Sequence, residues 1–541
     1  MKHTVRILSA LALMSTVACA PALRAENLVL DGYPAQGTYI DSLRFKLLTL
    51  KDEKFYARAA KREIAVSNGY ADATLTYRLW LQTNAAPLVF IISGLGGVYG
   101  SVEPTVLAEL LYNNGFSPVM LSNPFSWDFL LNVSETGVPG YTPQDARDLY
   151  RAFGMVVHDI TNKYGAARVG KKLLLGYSLG AVQMLFVFAL DQQEHRVGFE
   201  TCVALSPPVN MFNALRKLDE LYSIWQGLSK QAIAAKRDRA VAFYNEFREQ
   251  GLAPNALLGV ESRDAQFAIG VVFRMTLGEV IKAIAKRNDH GILTNTYRHF
   301  CQRFLEKEVE RYGYYDYART FIKTVHSNVW SADIPMKKLN EQVSLFSLQQ
   351  ALATNAQVRI LHTWNDFLLT DYDRRWLKSV MKDRLTFFNC GGHLGYLYRE
   401  GVQQYLVNVL RDVNYHATTN VLREPSATNV AVQTAATNAA AVAKAPVVPV
   451  TPVAKAPGAF ATVAPATKAP AAPAPAAPAA TNAVAAPVVK PPAAPPAVPP
   501  TSTPAPPAPP AAQPAAGGGT NAAKLRIRTD IQMEEPKDGN P

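Results

Sequence analysis

Cysteine is scarce in this sequence: four in 541 residues, with Cys19 near the start and only Cys202, Cys301 and Cys390 in the body. An odd number of body thiols with no Cys-x-x-Cys spacing indicates neither a disulfide framework nor a cysteine zinc site, and these residues are expected to pack as small apolar side chains. Long apolar runs are missing too. The run Ile7 to Val17 falls short of the ~20 residues a helix needs to cross a bilayer, and no later segment reaches that length. A dense basic stripe is also lacking. Of the net charge of +12, the first 25 residues carry three and residues 425–541 carry four, which leaves the body near +5. Phosphate-backbone binding leaves a stronger footprint, so nucleic acid is not expected as a partner.

The first residues set Lys2 and Arg6 before that apolar run and small residues after it, the three-part pattern of a secretory signal peptide over residues 1–25. Cleavage fits after Ala18-Cys19-Ala20 or after Leu23-Arg24-Ala25. Thr16-Val17-Ala18-Cys19 also resembles a lipoprotein signal with an imperfect first position, and a thioether-linked lipid on Cys19 would anchor the protein to a membrane. Export to the periplasm, the cell envelope or the medium is the expectation either way. At the other end, residues 425–541 are dominated by Ala, Pro, Thr and Val, a composition too poor in apolar bulk to offset the entropy of ordering a chain. A disordered, partly polyproline tail is expected there, with the charged segment after Lys524 as a possible contact for cell-envelope components.

Between these ends the pattern is that of a packed protein, and all six Trp lie there. Arg62–Ser67 and Thr74–Thr83 alternate apolar and polar residues and predict an opening antiparallel hairpin. Then come strands at Pro87–Ser93, Pro118–Ser122, Lys172–Tyr177 and Thr201–Leu205, with helices at Val102–Tyr112, Pro143–Lys163 (Thr142 as its N-cap) and Leu179–Leu190 between them. Two more strands follow at Val358–Thr363 and Leu385–Cys390, and a last helix at Gly395–Asp412. Strands alternating with helices predict a mostly parallel sheet flanked by helices. The body therefore divides into a core at 26–206 and 357–424, interrupted by residues 207–356. That insertion is helix-patterned, as at Met211–Leu228 and Arg298–Val309, and predicts a large cap over the carboxyl edge of the sheet, where ligands bind in open α/β sheets.

The chemistry concentrates in loops after strands. Gly176-Tyr177-Ser178-Leu179-Gly180 follows the strand Lys172–Tyr177 and opens a helix, the setting in which a serine hydroxyl is held up on a strained turn between glycines. A serine needs a base, and His393 sits in the glycine-flanked loop Cys390-Gly391-Gly392-His393-Leu394-Gly395 after the last strand. His362, within a strand, and His158, within a helix, are placed for packing or surface roles. A carboxylate must orient the base. Asp366 follows the strand before the one leading to His393 and is preferred over Asp371 and Asp373, which stand where the next helix begins and suit N-terminal capping. Ser93-Gly94-Leu95-Gly96-Gly97 follows the strand Pro87–Ser93, so the backbone N–H groups of Leu95 and Leu179 are the candidate oxyanion donors.

In this order, SGLGG, GYSLGA, NDFLL and GGHLGY resemble the α/β-hydrolase superfamily, nearest its bacterial branch of YheT-type predicted esterases, whose segments look like HGLGG, GFSLGG, DDPF and GGHxGF. The resemblance extends over roughly residues 60–411. It implies the α/β-hydrolase fold and a Ser178/His393/Asp366 hydrolase of small acyl or ester substrates, without metal or organic cofactor. Ser93 in place of the usual His, Phe367 in place of the common Pro, and the long cap depart from that branch. An apolar cap wall from Phe267–Met275 and Phe321–Trp330 is expected to favour apolar acyl groups. Fold and triad do not fix the acceptor, so a peptidase or an acyltransferase remains open, as does an inert cell-envelope binding protein.

Overall fold

The computed structural model describes residues 25–67, 73–225, 227–250, 257, 259–298, 302–327 and 334–424. The leader with Cys19, the body residues Cys301 and Trp330, and the tail from residue 425 lie outside the described residues.

The elements run β1 (Glu26–Leu30), α1 (Thr38–Leu43), β2 (Ala60–Ala65), β3 (Thr74–Leu79), β4 (Ala86–Ile92), α2 (Val102–Asn113), β5 (Ser117–Leu121), α3 (Trp127–Asn132), α4 (Thr142–Tyr164), β6 (Val169–Tyr177), α5 (Leu179–Glu194) and β7 (Thr201–Leu205). Helices follow: α6 (Met211–Tyr222), α7 (Lys230–Gln250), α8 (Ser262–Arg287), α9 (Arg303–Val309), α10 (Tyr314–Tyr317), α11 (Lys323–Val325), α12 (Met336–Val343) and α13 (Gln349–Thr354). The chain then returns to the sheet through β8 (Val358–Thr363), α14 (Asp371–Met381), β9 (Leu385–Phe388), α15 (Glu400–Arg411) and β10 (Val421–Leu422).

One ten-stranded sheet has the order β10-β1-β9-β8-β7-β6-β4-β5-β3-β2. Only β3 runs antiparallel to its neighbours, β2 and β5. The central strands are apolar on both sides because both faces are covered. Leu88, Phe90, Ile92, Leu174 and Ala204 pack with α4, α5 and helices from 207–356, while Val89, Ile91, Leu173, Leu175 and Val203 pack with α2 and α15.

β1 enters between β9 and β10, parallel to both. Its first residue reaches into the core: the Glu26 carboxylate accepts hydrogen bonds from Arg359 Nη2 at 2.8 Å, Thr386 Oγ1 at 3.1 Å, Ala417 N at 2.8 Å and the Tyr405 hydroxyl. Arg359 is completely buried, so this carboxylate is what makes its charge tolerable there.

Several sequence expectations are corrected at this level. Thr142 is inside α4, not its N-cap: the N-cap is Tyr141, and the Thr142 hydroxyl donates instead to Val343 O at 3.0 Å, drawn away by the segment after α12. The expected last helix is broken. Residues Gly395–Tyr398 form a 3-10 turn and Arg399 is extended (ψ 126), because Leu394 enters at φ 69 and the chain must wrap beneath α1 before α15 begins. β9 ends at Phe388, two residues early, as the base loop starts. Of the helix read over Arg298–Val309, the described residues show Arg303–Val309.

Candidate active site

β6 ends at Tyr177 and α5 begins at Leu179, which leaves Ser178 alone on the turn at φ 55, ψ −125, a backbone region that a side chain enters only under strain. The glycines on either side are required by packing. A Cβ on Gly176 would lie 2.4 Å from Gly180 O, and one on Gly180 would lie 2.2 Å from Ser93 O. The backbone therefore closes on itself below Ser178 and against the end of β4, and the serine hydroxyl projects the other way.

His393 Nε2 lies 2.9 Å from Ser178 Oγ, and His393 Nδ1 lies 2.7 Å from Asp366 Oδ2. The hydrogen-bond pattern assigns Nδ1–H as donor to Asp366 and Nε2 as acceptor from the serine hydroxyl. Asp366 is fully buried and its second oxygen accepts from Leu368 N at 2.9 Å. Burial works to raise its pKa, but the facing His393, then His362 and the Leu368 amide, outweigh burial and hold it below the usual carboxylate value. Asp371 and Asp373 are elsewhere: Asp371 pairs with Arg374, and Asp373 forms a capping box with Thr370 at the start of α14. His158 is on α4 beside Asn162, away from this group.

The loop after β4 comes back over the serine. The amides of Leu95 and Leu179 have no hydrogen-bond partner among the described residues. Ser93 is buried, and its small side chain lets the loop fold tightly, since a Cβ on Gly97 would meet Ser93 Oγ at 2.1 Å. Phe367 packs edge-on against the His393 ring with 5.6 Å between centroids.

A cavity of about 280 Å³ opens over Ser178 and His393. The helix α8 contributes Ile269, Val272, Phe273 and Thr276 to its wall, α1 and the residues after it contribute Leu43 and Phe45, and the base side contributes Phe367 and Leu394. Thus Phe267–Met275 supplies part of the expected apolar wall. Of the other expected stretch, Phe321–Trp330, none of the described residues lines the cavity, and Phe321 is fully buried, packed against Tyr312 and Tyr317. A charged pair interrupts the mainly apolar lining, Lys46 with Glu103. Burial pushes the Glu103 pKa up, but the Lys46 ammonium outweighs it and holds the carboxylate ionised.

Several supporting residues had escaped the sequence reading. Ser42, on α1, accepts a hydrogen bond from His393 N at 2.7 Å and donates to Thr38 O at 2.6 Å. Asn365 accepts from Gly392 N at 2.8 Å, so the residue beside Asp366 also fixes the base loop. His362 is completely buried with Nδ1 3.6 Å from Asp366, and burial pushes its pKa down to about 4, so it stays neutral. Only Asn365 carried a local signal, its place next to the acid; α1 is short and lies far away in sequence.

Cys202 and Cys390 are buried free thiols; burial raises both, Cys390 to about 11. Among the described residues no cluster of three or more His, Cys, Asp or Glu is arranged to hold a metal ion, and no helix is long and apolar enough to cross a membrane.

A parallel sheet with an antiparallel hairpin at one edge, a strained serine between the central strand and its helix, and a histidine after the following strands define the α/β-hydrolase fold. No protein-family model matches this chain, and no curated protein does. Solved structures similar to it include an acylaminoacyl peptidase of Pyrococcus horikoshii (12% identity, TM-score 0.35, covering 67% of this chain and 43% of that one). Others are 2,6-dihydroxy-pseudo-oxynicotine hydrolase (11%, TM-score 0.36, 67% and 70%) and an arylesterase (13%, TM-score 0.35, 70% and 91%). The chain thus spans less than half the length of the peptidase. At such TM-scores these likenesses carry no argument, and the fold rests on this chain's own strand order and turns.

Proposed function

We propose that this chain is an exported serine hydrolase that cleaves carboxylic esters with apolar acyl groups through an acyl-enzyme. The observation that carries the reading is the continuous hydrogen-bonded line Asp366–His393–Ser178, ending on a strained serine beneath a mainly apolar cavity. In the proposed sequence, Ser178 Oγ attacks the ester carbonyl as its proton passes to His393 Nε2. The Leu95 and Leu179 amides receive the negative charge that develops on the carbonyl oxygen. The imidazolium is stabilised by buried Asp366 and gives its proton to the departing alkoxide. Water, deprotonated by the same histidine, then releases the acid and restores the serine. None of these steps asks for a metal or an organic cofactor.

The motif resemblance to YheT-type predicted esterases supports ester substrates. The leader-like pattern of Lys2, Arg6 and the run Ile7–Val17 supports export. Intact mass of the full chain and of Ser178→Ala after a fluorophosphonate probe tests the mechanism: one adduct on the wild type and none on the variant is expected. A folded wild type that takes up no probe refutes it, and would favour an envelope binding protein. A panel of esters graded in chain length tests the substrate class, which fails if charged or the shortest members are turned over best.

A further inference from the structure

The two amides assigned to the oxyanion sit on different parts of the chain, Leu95 in a glycine-rich loop and Leu179 at the first turn of α5. A loop so rich in glycine has many conformations available to it. Donors serve a developing charge only when they are fixed in advance at hydrogen-bonding distance from it. Something must hold the loop at a set distance from α5.

Asn123, just beyond β5, is completely buried and touches both ends of that loop. Its side-chain Nδ2 donates to Ser93 O at 2.7 Å, and its backbone N donates to Gly97 O at 2.9 Å. Its Oδ1 accepts from Phe125 N at 2.7 Å, and Phe125 O in turn accepts from Gly96 N at 3.0 Å. The same Nδ2 also donates to Gln183 Oε1 at 2.8 Å. Gln183 lies on α5 and is completely buried as well. Its Nε2 reaches Asp145 Oδ2 at 3.3 Å, and that oxygen also accepts from Gly140 N at 3.0 Å. Two primary amides in an apolar interior are costly to desolvate unless hydrogen-bonded, and here every bond they make goes to the loop, to its neighbour Phe125 N or to the α4–α5 interior. What the amide pair does, and an apolar pair cannot, is fix the loop carbonyl Ser93 O to the helix that carries the second donor.

Resting on the serine-hydrolase reading above, we propose that Asn123 is the positioning residue of the oxyanion loop and that Gln183 locks it to the nucleophile helix. Neither touches substrate; both act through the Leu95 amide.

The test compares full-chain wild type with Asn123→Asp, which keeps the shape and the acceptor for Phe125 N but replaces the two N–H donors that serve Ser93 O and Gln183 by a single O–H at most. Gln183→Met is the second variant. For a good ester substrate, Asn123→Asp is expected to lower kcat by ~10²-fold, the scale of losing one oxyanion donor, with KM little changed. The inhibition constant of a trifluoromethyl ketone, which forms the tetrahedral oxyanion, should rise in step with the fall in kcat/KM. The pH-rate midpoint should stay where it is, because Asp366 and His393 are untouched. Gln183→Met should show the same pattern at smaller size. Wild-type kcat in a folded Asn123→Asp overturns the proposal, as does a loss that falls on KM or a ketone affinity that does not follow kcat/KM. If Asn123→Asp does not fold, Gln183→Met decides alone: unchanged kcat overturns. Failure of the underlying reading is distinct, since the wild type itself would then neither label at Ser178 nor hydrolyse esters.

Discussion

Asp366→Asn is the sharpest perturbation of the candidate site, because the surroundings dictate how the new side chain must sit. Leu368 N–H points at Oδ1 from 2.9 Å and requires an acceptor there. The asparagine carbonyl oxygen must therefore take that place, which turns the NH₂ group toward His393 Nδ1, where Oδ2 had accepted at 2.7 Å. Two donors cannot face each other, so the imidazole is driven to the tautomer with its proton on Nε2. That nitrogen can no longer accept the Ser178 proton. In serine triads this wrong tautomer costs ~10⁴ in kcat, or roughly 5 kcal/mol in the barrier. The assay is ester turnover together with the rate of fluorophosphonate addition to Ser178, with circular dichroism to show an intact fold. A folded Asp366→Asn that keeps turnover within about tenfold of wild type would refute the assignment, given that tautomer cost. Asp373→Asn is the matched control: it disturbs the capping box of α14 and should cost about 1 kcal/mol of stability with turnover unaffected.

Two further outcomes concern stability. Glu26→Ala strands the buried Arg359 guanidinium and should cost about 3–5 kcal/mol, while Glu26→Ala combined with Arg359→Met should recover much of that; urea unfolding of the two singles and the double measures it, and simple additivity would refute the pairing. Asp145, buried between α4 and α5, has its pKa raised by burial to about 8. A raised folded pKa contributes stability that is full below the unfolded value and lost as pH rises through the folded one. Asp145 should therefore make wild-type stability fall with pH between about 4 and 8, and Asp145→Asn should flatten that slope; urea midpoints across the range, equal in slope for both proteins, would refute it.

Local pattern carried the central sheet and the placement of the loops that hold Ser178, Asp366 and His393. Short continuous apolar runs such as Pro87–Ser93, bounded by Pro and Gly and rich in Val and Ile, read as strands covered on both sides, and glycines flanking a lone Ser or His mark turns. What escaped was what depends on distant partners. ENLVL is too short to declare itself, and its neighbours in the sheet are β9 and β10 near the other end of the body. Ser42 reads as an ordinary helical serine until His393 N is found 2.7 Å away. Asn123 and Gln183 are unremarkable alone; only the fold makes them partners. Thr142 shows the reverse case, where a good local cap signal lost to a tertiary hydrogen bond with Val343.

The place of β1 has a consequence in time. It is the first strand to be synthesised and among the last to find its neighbours: Leu30 N bonds the side chain of Asn389, 359 residues downstream. At ~5–20 residues per second that interval is roughly 20 to 70 s. Throughout it Glu26 has no Arg359, and the apolar side chains of Leu28 and Leu30 have no sheet to enter. The α1 helix that braces the base loop follows directly on β1, so it too must wait for residues 391–395. The candidate site is therefore completed from both ends of the body at once, after the serine turn and its helix have long been available. Slow pairing of this kind leaves an exposed apolar strand for as long as the chain is growing, which is where a holding chaperone would have its longest opportunity to bind.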